Sequence, residues 1–174
     1  AHDAYASIAH LALNVSPPRT QWMNMGLWTQ QDASFPDAAK VGAVVLHIAA
    51  LAQFLHQAAQ IPPDARILDV GHGCGDSLLL LAEQYKPACL HGVTFEAAHA
   101  QQARQRLGER ATIWCADAVQ WLKDSADTYD TILALDCAYH FSDRAAFLRA
   151  ASQHLAPAGT LAVVDLVGAW PYPT

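Results

Sequence analysis

Apolar residues return at helical spacing through the longest periodic stretch of the chain, residues 38–60. There Val41, Val44, Val45, Ile48, Leu51, Ala52 and Leu55 follow the i, i+3, i+4, i+7 rule. Lys40, His47, Gln53, His56 and Gln57 interrupt the run. A membrane span needs about 20 clean apolar residues, so the stretch predicts a core helix, ended by Ile61-Pro62-Pro63-Asp64. Downstream the pattern changes to short apolar runs separated by helical stretches. Strands are predicted at 66–70, 88–94, 111–115, 129–135 and 160–167. Helices are predicted at 77–84, 96–107, 119–123 and 144–155, with Gly108 ending one and Asp143 capping another. Strands alternating with helices make an α/β fold, a doubly wound parallel sheet with helices on both faces. Ahead of the long helix, residues 1–13 form a weakly amphipathic helix candidate (Ala4, Ile8, Leu11), broken by Pro17-Pro18.

Length sets a single-domain scale: 174 residues suffice for a real core. Within it, residues 1–60 read as an N-terminal helical cap or lid region and residues 61–174 as a Rossmann-like core. Hydrophobic residues at 53% and charged residues at 15% suit a compact globule. A net charge of −6 without a Lys/Arg cluster argues against a nucleic acid partner. Cys74, Cys89, Cys115 and Cys137 lie far apart, with neither C-x-x-C nor metal spacing. No metal is expected. Three of them fall at or near predicted strand ends, which points to buried free thiols in a reducing, cytoplasmic compartment. No secretory leader opens the chain, and it starts at Ala1, so an upstream piece is expected to have been removed.

Candidate chemistry centres on Arg66-Ile67-Leu68-Asp69-Val70-Gly71-His72-Gly73-Cys74-Gly75-Asp76-Ser77, a strand, a glycine turn and a helix start. Glycines at 71, 73 and 75 allow positive φ and let a ligand approach bare backbone. The helix start adds N–H groups and a positive dipole end. A dinucleotide fingerprint would need glycine at 76, where Asp76 stands. A nicotinamide-dependent oxidoreductase is therefore the weaker enzyme reading.

Asp69-Val70-Gly71-His72-Gly73-Cys74-Gly75 resembles motif I of the class I S-adenosylmethionine (SAM) methyltransferases. The resemblance extends over residues 21–167, with several motifs in order. It implies a sheet ordered 3-2-1-4-5 and places ligands beyond the carboxyl ends of the strands. It implies that Asp69, Gly71, Gly73 and Gly75 serve the amino acid end of the cofactor. Gly92-Val93-Thr94-Phe95-Glu96 is similar to the segment after strand two in sterol methyltransferases, cyclopropane fatty acid synthases and tocopherol-type methyltransferases. That similarity makes Thr94 and Phe95 ribose-site candidates. Here Glu96 replaces a serine and His99 a glutamine, and Glu96 is equally an N-cap candidate. Ala116-Asp117-Ala118 resembles the family's adenine-reading turn, although Asp117 also suits a helix cap.

Leu135-Asp136-Cys137-Ala138-Tyr139-His140-Phe141 follows strand four, where the family's transferable methyl points. Asp136 is taken with the cofactor residues, and Cys137 and Tyr139 with the substrate side. Histidine titrates nearest neutrality, so His140 is the candidate general base for an acceptor hydroxyl or amine; the other reading is that it closes the pocket wall. Nine histidines are present, so most need no role. Trp22, Met25 and Trp28, flanking Gly26, read as a lid over the ligand or as aromatics packed on the domain. With the subgroup resemblance they imply a small, uncharged or lipid-like acceptor.

The chain stops at Trp170-Pro171-Tyr172-Pro173-Thr174, just after strand five. The resemblance implies a further β6–β7 hairpin there, apparently lacking. Strand five is then expected to be an apolar edge covered by another copy (a homo-oligomer), another chain or a missing segment. A methyltransferase-like binding module with little turnover is the non-enzyme alternative.

Overall fold

The structure, a computed structural model, describes residues 20–27 and 37–166. The candidate helix over 1–13, Trp28, Val167 and the 170–174 end lie outside the described residues, as do the side chains of Val41, Val44 and Val45. Helix α1 (Asp37–Ala59) leads into β1 (Arg66–Val70), α2 (Asp76–Gln84), β2 (Cys89–Thr94) and α3 (Ala97–Leu107). These are followed by β3 (Thr112–Cys115), α4 (Ala118–Asp124), β4 (Tyr129–Leu135), α5 (Arg144–Gln153) and β5 (Leu155–Val164). The five strands are all parallel, in the order β3-β2-β1-β4-β5.

Side-chain alternation along the central strands divides the core into two layers. Ile67 and Leu133 face one side, where they meet Ile48, Leu51 and Leu55 of α1, Leu78 and Leu81 of α2, and Ala100, Ala103 and Leu107 of α3. Leu68 and Ile132 face the other, against Leu122 of α4 and Phe147, Ala150 and Ala151 of α5. Burial on both faces explains why β1 and β4 read as continuous apolar runs. Helix α1 is thus a structural layer, contacting β4 and β5. No helix among the described residues is long and apolar enough to cross a membrane.

One boundary differs from the sequence expectation. Helix α5 ends at Gln153, and β5 starts at Leu155, five residues before the predicted strand. Tyr129 pairs with Leu155 and Thr131 with Thr160, so the Pro157-Ala158-Gly159 turn is a bulge within β5. The Tyr129 N–H donates to the His154 carbonyl, which starts the pairing immediately after the helix. Ala158 takes φ 64°, and a Cβ on Gly159 would lie 3.0 Å from the Tyr129 carbonyl oxygen.

The four cysteines are free thiols. Cys74 and Cys137 are buried as expected, but Cys89 is half-buried and Cys115 exposed, because β3 is an edge strand whose last residue faces outward.

Candidate active site

Strand order reverses between β1 and β4, and a cavity of about 540 Å³ opens there at the carboxyl ends of the strands. Its wall brings together Gly71, His72, Gly73 and Ser77 after β1, and Thr94, Phe95, Glu96 and His99 after β2. It adds Ala116, Asp117 and Ala118 after β3, and Asp136, Cys137, Tyr139, His140 and Phe141 after β4. Trp22, Met23 and Asn24 close it from the N-terminal side. Most sequence-predicted site residues therefore meet at one hollow. Asp69, Gly75 and Met25 do not line it.

The glycine loop has divided duties. Gly71 has φ +70°, and a Cβ there would sit 2.6 Å from the Cys137 sulfur, so only glycine lets the β1 and β4 loops touch. Gly75 has φ +92°, and a Cβ there would meet Ala103 and Leu107 at 3.0 Å. That third glycine serves helix packing. Next to it, the Asp76 carboxylate accepts two 2.7 Å bonds from the Arg106 guanidinium and one from the Gln21 N–H at 3.0 Å. A carboxylate thus stands at the start of α2, where a dinucleotide's pyrophosphate would have to sit. That disfavours the nicotinamide reading.

Residues 20–27 fold down as a strap. The Met25 N–H donates to Asp136 at 2.7 Å, and Met25 itself points outward, 53% exposed. Asn24 donates to the Ile48 carbonyl and accepts from the Gly26 N–H. Leu27 and His47 exchange two bonds of 2.8 Å. Of the three sequence candidates, Trp22 both packs on the domain and faces the cavity, Met25 does not line it, and Trp28 lies outside the described residues.

Asp136 takes φ 51°, a left-handed conformation unusual outside glycine, at the exit of β4. Burial pushes its carboxyl up from the ordinary range, partly offset by the Met25 N–H and with Asp165 nearby adding to the rise. Asp165 accepts from the Tyr139 N–H at 3.0 Å and pairs with Arg144 at 3.1 Å, fixing the turn Ala138–His140. His140 is exposed at the cavity mouth, its ring 4.2 Å from that of Tyr139. Asp117 caps α4, Oδ1 accepting from the Gln120 N–H at 2.9 Å, while its turn faces the cavity. The cap and the ligand-facing position coexist. Glu96 occupies the N-cap position of α3 without a side-chain capping bond. Its carboxylate therefore does not cap.

Beneath the loop lies a buried polar layer. Asp69 is fully buried, neither carboxylate oxygen within hydrogen-bonding geometry of a partner. Burial raises its carboxyl to about 7, the neighbouring Ser77 hydroxyl partly opposing this. The Ser77 hydroxyl lies 3.4 Å from His56 Nε2. Burial pulls both His56 and His72 down to about 4. The His72 ring rests where Gly92 leaves room: a Cβ on Gly92 would be 2.8 Å from it. Met23, Asn24, His72, Ser77 and Asp165 were not singled out from sequence. The glycine at 92 was the available signal for His72; the others depend on long-range contacts that no local pattern records.

A profile of the methyltransferase domain matches residues 67–159. The chain belongs to the methyltransferase-domain family. It is 30% identical over 153 residues to erythromycin 3''-O-methyltransferase of Saccharopolyspora erythraea, covering 84% of this chain and 46% of that protein. Among solved structures it resembles a sarcosine dimethylglycine methyltransferase from Galdieria sulphuraria, described there as putative, with a TM-score of 0.67. That pair is 15% identical, covering 82% of this chain and 54% of the other. It also resembles the plantazolicin methyltransferase BpumL, solved with a desmethylplantazolicin analogue and S-adenosylhomocysteine (SAH). There the TM-score is 0.55 and the identity 25%, covering 68% and 45% of the two chains. The chain spans about half the length of the curated relatives it matches. The five-stranded 3-2-1-4-5 sheet is the fold expected from the motif I resemblance.

Proposed function

We propose that this methyltransferase domain binds SAM in the cavity between β1 and β4 and transfers its methyl group to a small-molecule acceptor. The observation that carries the reading is convergence: four separate strand exits, each singled out from sequence, line one hollow. The group fits what the chain offers. Gly71 and Gly73 line the hollow, the faces a Cβ would occupy being taken by Cys137 and Met23, a carboxylate turn stands at Asp117, and Asp136 stands at the β4 exit. The erythromycin and plantazolicin methyltransferases support a small acceptor.

Bound there, SAM would supply an electrophilic sulfonium methyl. The chain's own residues do the rest. The glycine loop and Asp136 hold the amino acid end, Thr94 and Phe95 border the ribose, and Asp117 and Ala118 read the adenine edge. Trp22, Met23 and Asn24 exclude water from the cavity, and the fixed loops align the reactants, the main way such a site lowers a barrier. His140, exposed beside Tyr139, accepts the proton that an acceptor hydroxyl or amine releases, a role worth about 10²–10⁴ in rate. Replacing it by glutamine should lower kcat in that range while leaving SAH affinity unchanged. A wall-forming histidine would give a small, uniform loss.

The direct test is calorimetric titration with SAH. Micromolar binding is expected; no heat at millimolar SAH contradicts the reading.

A further inference from the structure

On the opposite rim of the sheet, five residues back along β2 from Thr94, lies a second hollow lined by Lys86, Cys89, His91 and Arg110. At about 3.3 Å per residue it is about 16 Å from the β2 exit that faces the first cavity. Cys89 Sγ lies 3.0 Å from His91 Nε2, and His91 Nδ1 lies 2.8 Å from the Tyr129 hydroxyl. The imidazole is held edge-on to Trp114, at 4.8 Å, and to Tyr129, at 5.6 Å. The methyl-transfer reading uses none of these groups.

We propose that Cys89 is a reactive thiol, activated by His91 and Tyr129, that exchanges with small anionic disulfides entering this hollow. Of the two His91 tautomers these contacts allow, the reactive one is the following. Nε2 accepts from the Cys89 S–H, and Nδ1–H donates to the Tyr129 oxygen. Burial pushes the Cys89 thiol up and the His91 ring down, so the pair rests neutral. The charged groups acting on it are Arg66 of β1 and Asp127 before β4, which oppose each other at both residues. The proton therefore moves when the electrophile arrives. Nε2 takes the Cys89 proton as the sulfur attacks one sulfur of the disulfide. A new S–S bond to Cys89 forms, the old S–S bond breaks, and the departing thiolate takes the proton back from Nε2. Cys89 is oxidised and one half of the disulfide is reduced to its thiol. Lys86 and Arg110 share the wall with Glu109, so the lining carries one net positive charge, which favours an anionic reagent.

Cys115 supplies an internal reference, being an exposed thiol on the other rim. The full chain is treated with glutathione disulfide, and adducts at each cysteine are followed by peptide mass spectrometry. Cys89, although half-buried, is expected to react faster than Cys115. His91→Gln and Tyr129→Phe should each slow Cys89 about tenfold or more while leaving the Cys115 rate unchanged. Continued protection of the buried Cys74 and Cys137 reports that each variant is folded. If Cys115 reacts first, or if both variants leave the Cys89 rate unchanged, the proposal is overturned.

Discussion

At the residue scale, the most exacting position is Gly71. Its φ of +70° and the Cys137 sulfur 2.6 Å from a would-be Cβ make Gly71→Ala both strained and crowded. A loss of about 1–3 kcal/mol from the backbone alone is expected in urea unfolding. Cys137→Gly in the same chain, which removes both the sulfur and the Cβ that would lie at 2.7 Å, should recover the steric part only. Asp117 separates two roles by chemistry. Serine caps helices about as well as aspartate, so Asp117→Ser should keep the melting temperature but weaken SAH binding by about tenfold, the scale of one hydrogen bond to a charged group. Asp69 gives a pH signature. Its carboxyl titrates near 7 in the folded chain and near 4 when unfolded. The folded state thus holds the extra proton, and this group's contribution to stability falls as pH rises from about 4 to about 7. His56 and His72, titrating near 4 folded and near 6.5 unfolded, act oppositely: their contribution rises from pH 4 to 6.5. Asp69→Asn removes the first effect alone. Its stability relative to the parent should therefore climb from pH 4 to 7 and level off above, read from urea curves at fixed pH. These roles differ in how far sequence reveals them. Gly71 and Asp117 stand in local motifs and were legible. The titration of Asp69 depends on what is packed around it, which a motif does not state.

At the element scale, the Asp76–Arg106 pair joins the start of α2, the end of α3 and the strap over the cavity. The Asp76 side chain is nearly buried and that of Arg106 about a quarter exposed. Arg106→Met should therefore fall toward the lower end of the roughly 3–5 kcal/mol cost of orphaning a buried partner. Adding Asp76→Asn should restore part of the stability, whereas Asp76→Ala removes the acceptor of the Gln21 N–H and should quicken proteolysis within residues 20–27. Unchanged proteolysis would mean that the strap is held by Asn24, Leu27 and His47 instead. The sequence marked Asp76 only as a missing glycine, because its partner lies 30 residues away on another helix. Strand five shows the same limit. Pro157-Ala158-Gly159 reads as a turn, and it is one, yet pairing from Tyr129 to Leu155 carries the strand through it as a bulge.

At the scale of the whole molecule, the parallel sheet with a helical layer on each face followed from alternation of strands and helices, while the order 3-2-1-4-5, and with it the position of the hollow, was what the motif I resemblance implied. The alternation is repeated along the chain, so no single residue had to be read correctly for it. What the pattern did not contain is which side chains face inward at the strand exits, and that is where His72, Ser77 and Asp165 entered. The central claim is that the hollow between β1 and β4 holds the SAM nucleoside. Hydrogen exchange of the full chain with and without saturating SAH tests it directly. Protection is predicted around residues 71–75, 94–99, 116–118 and 136–141, with little change near Lys86, Cys89 and Arg110. Protection centred on that opposite rim, or none at all at saturating ligand, would contradict it.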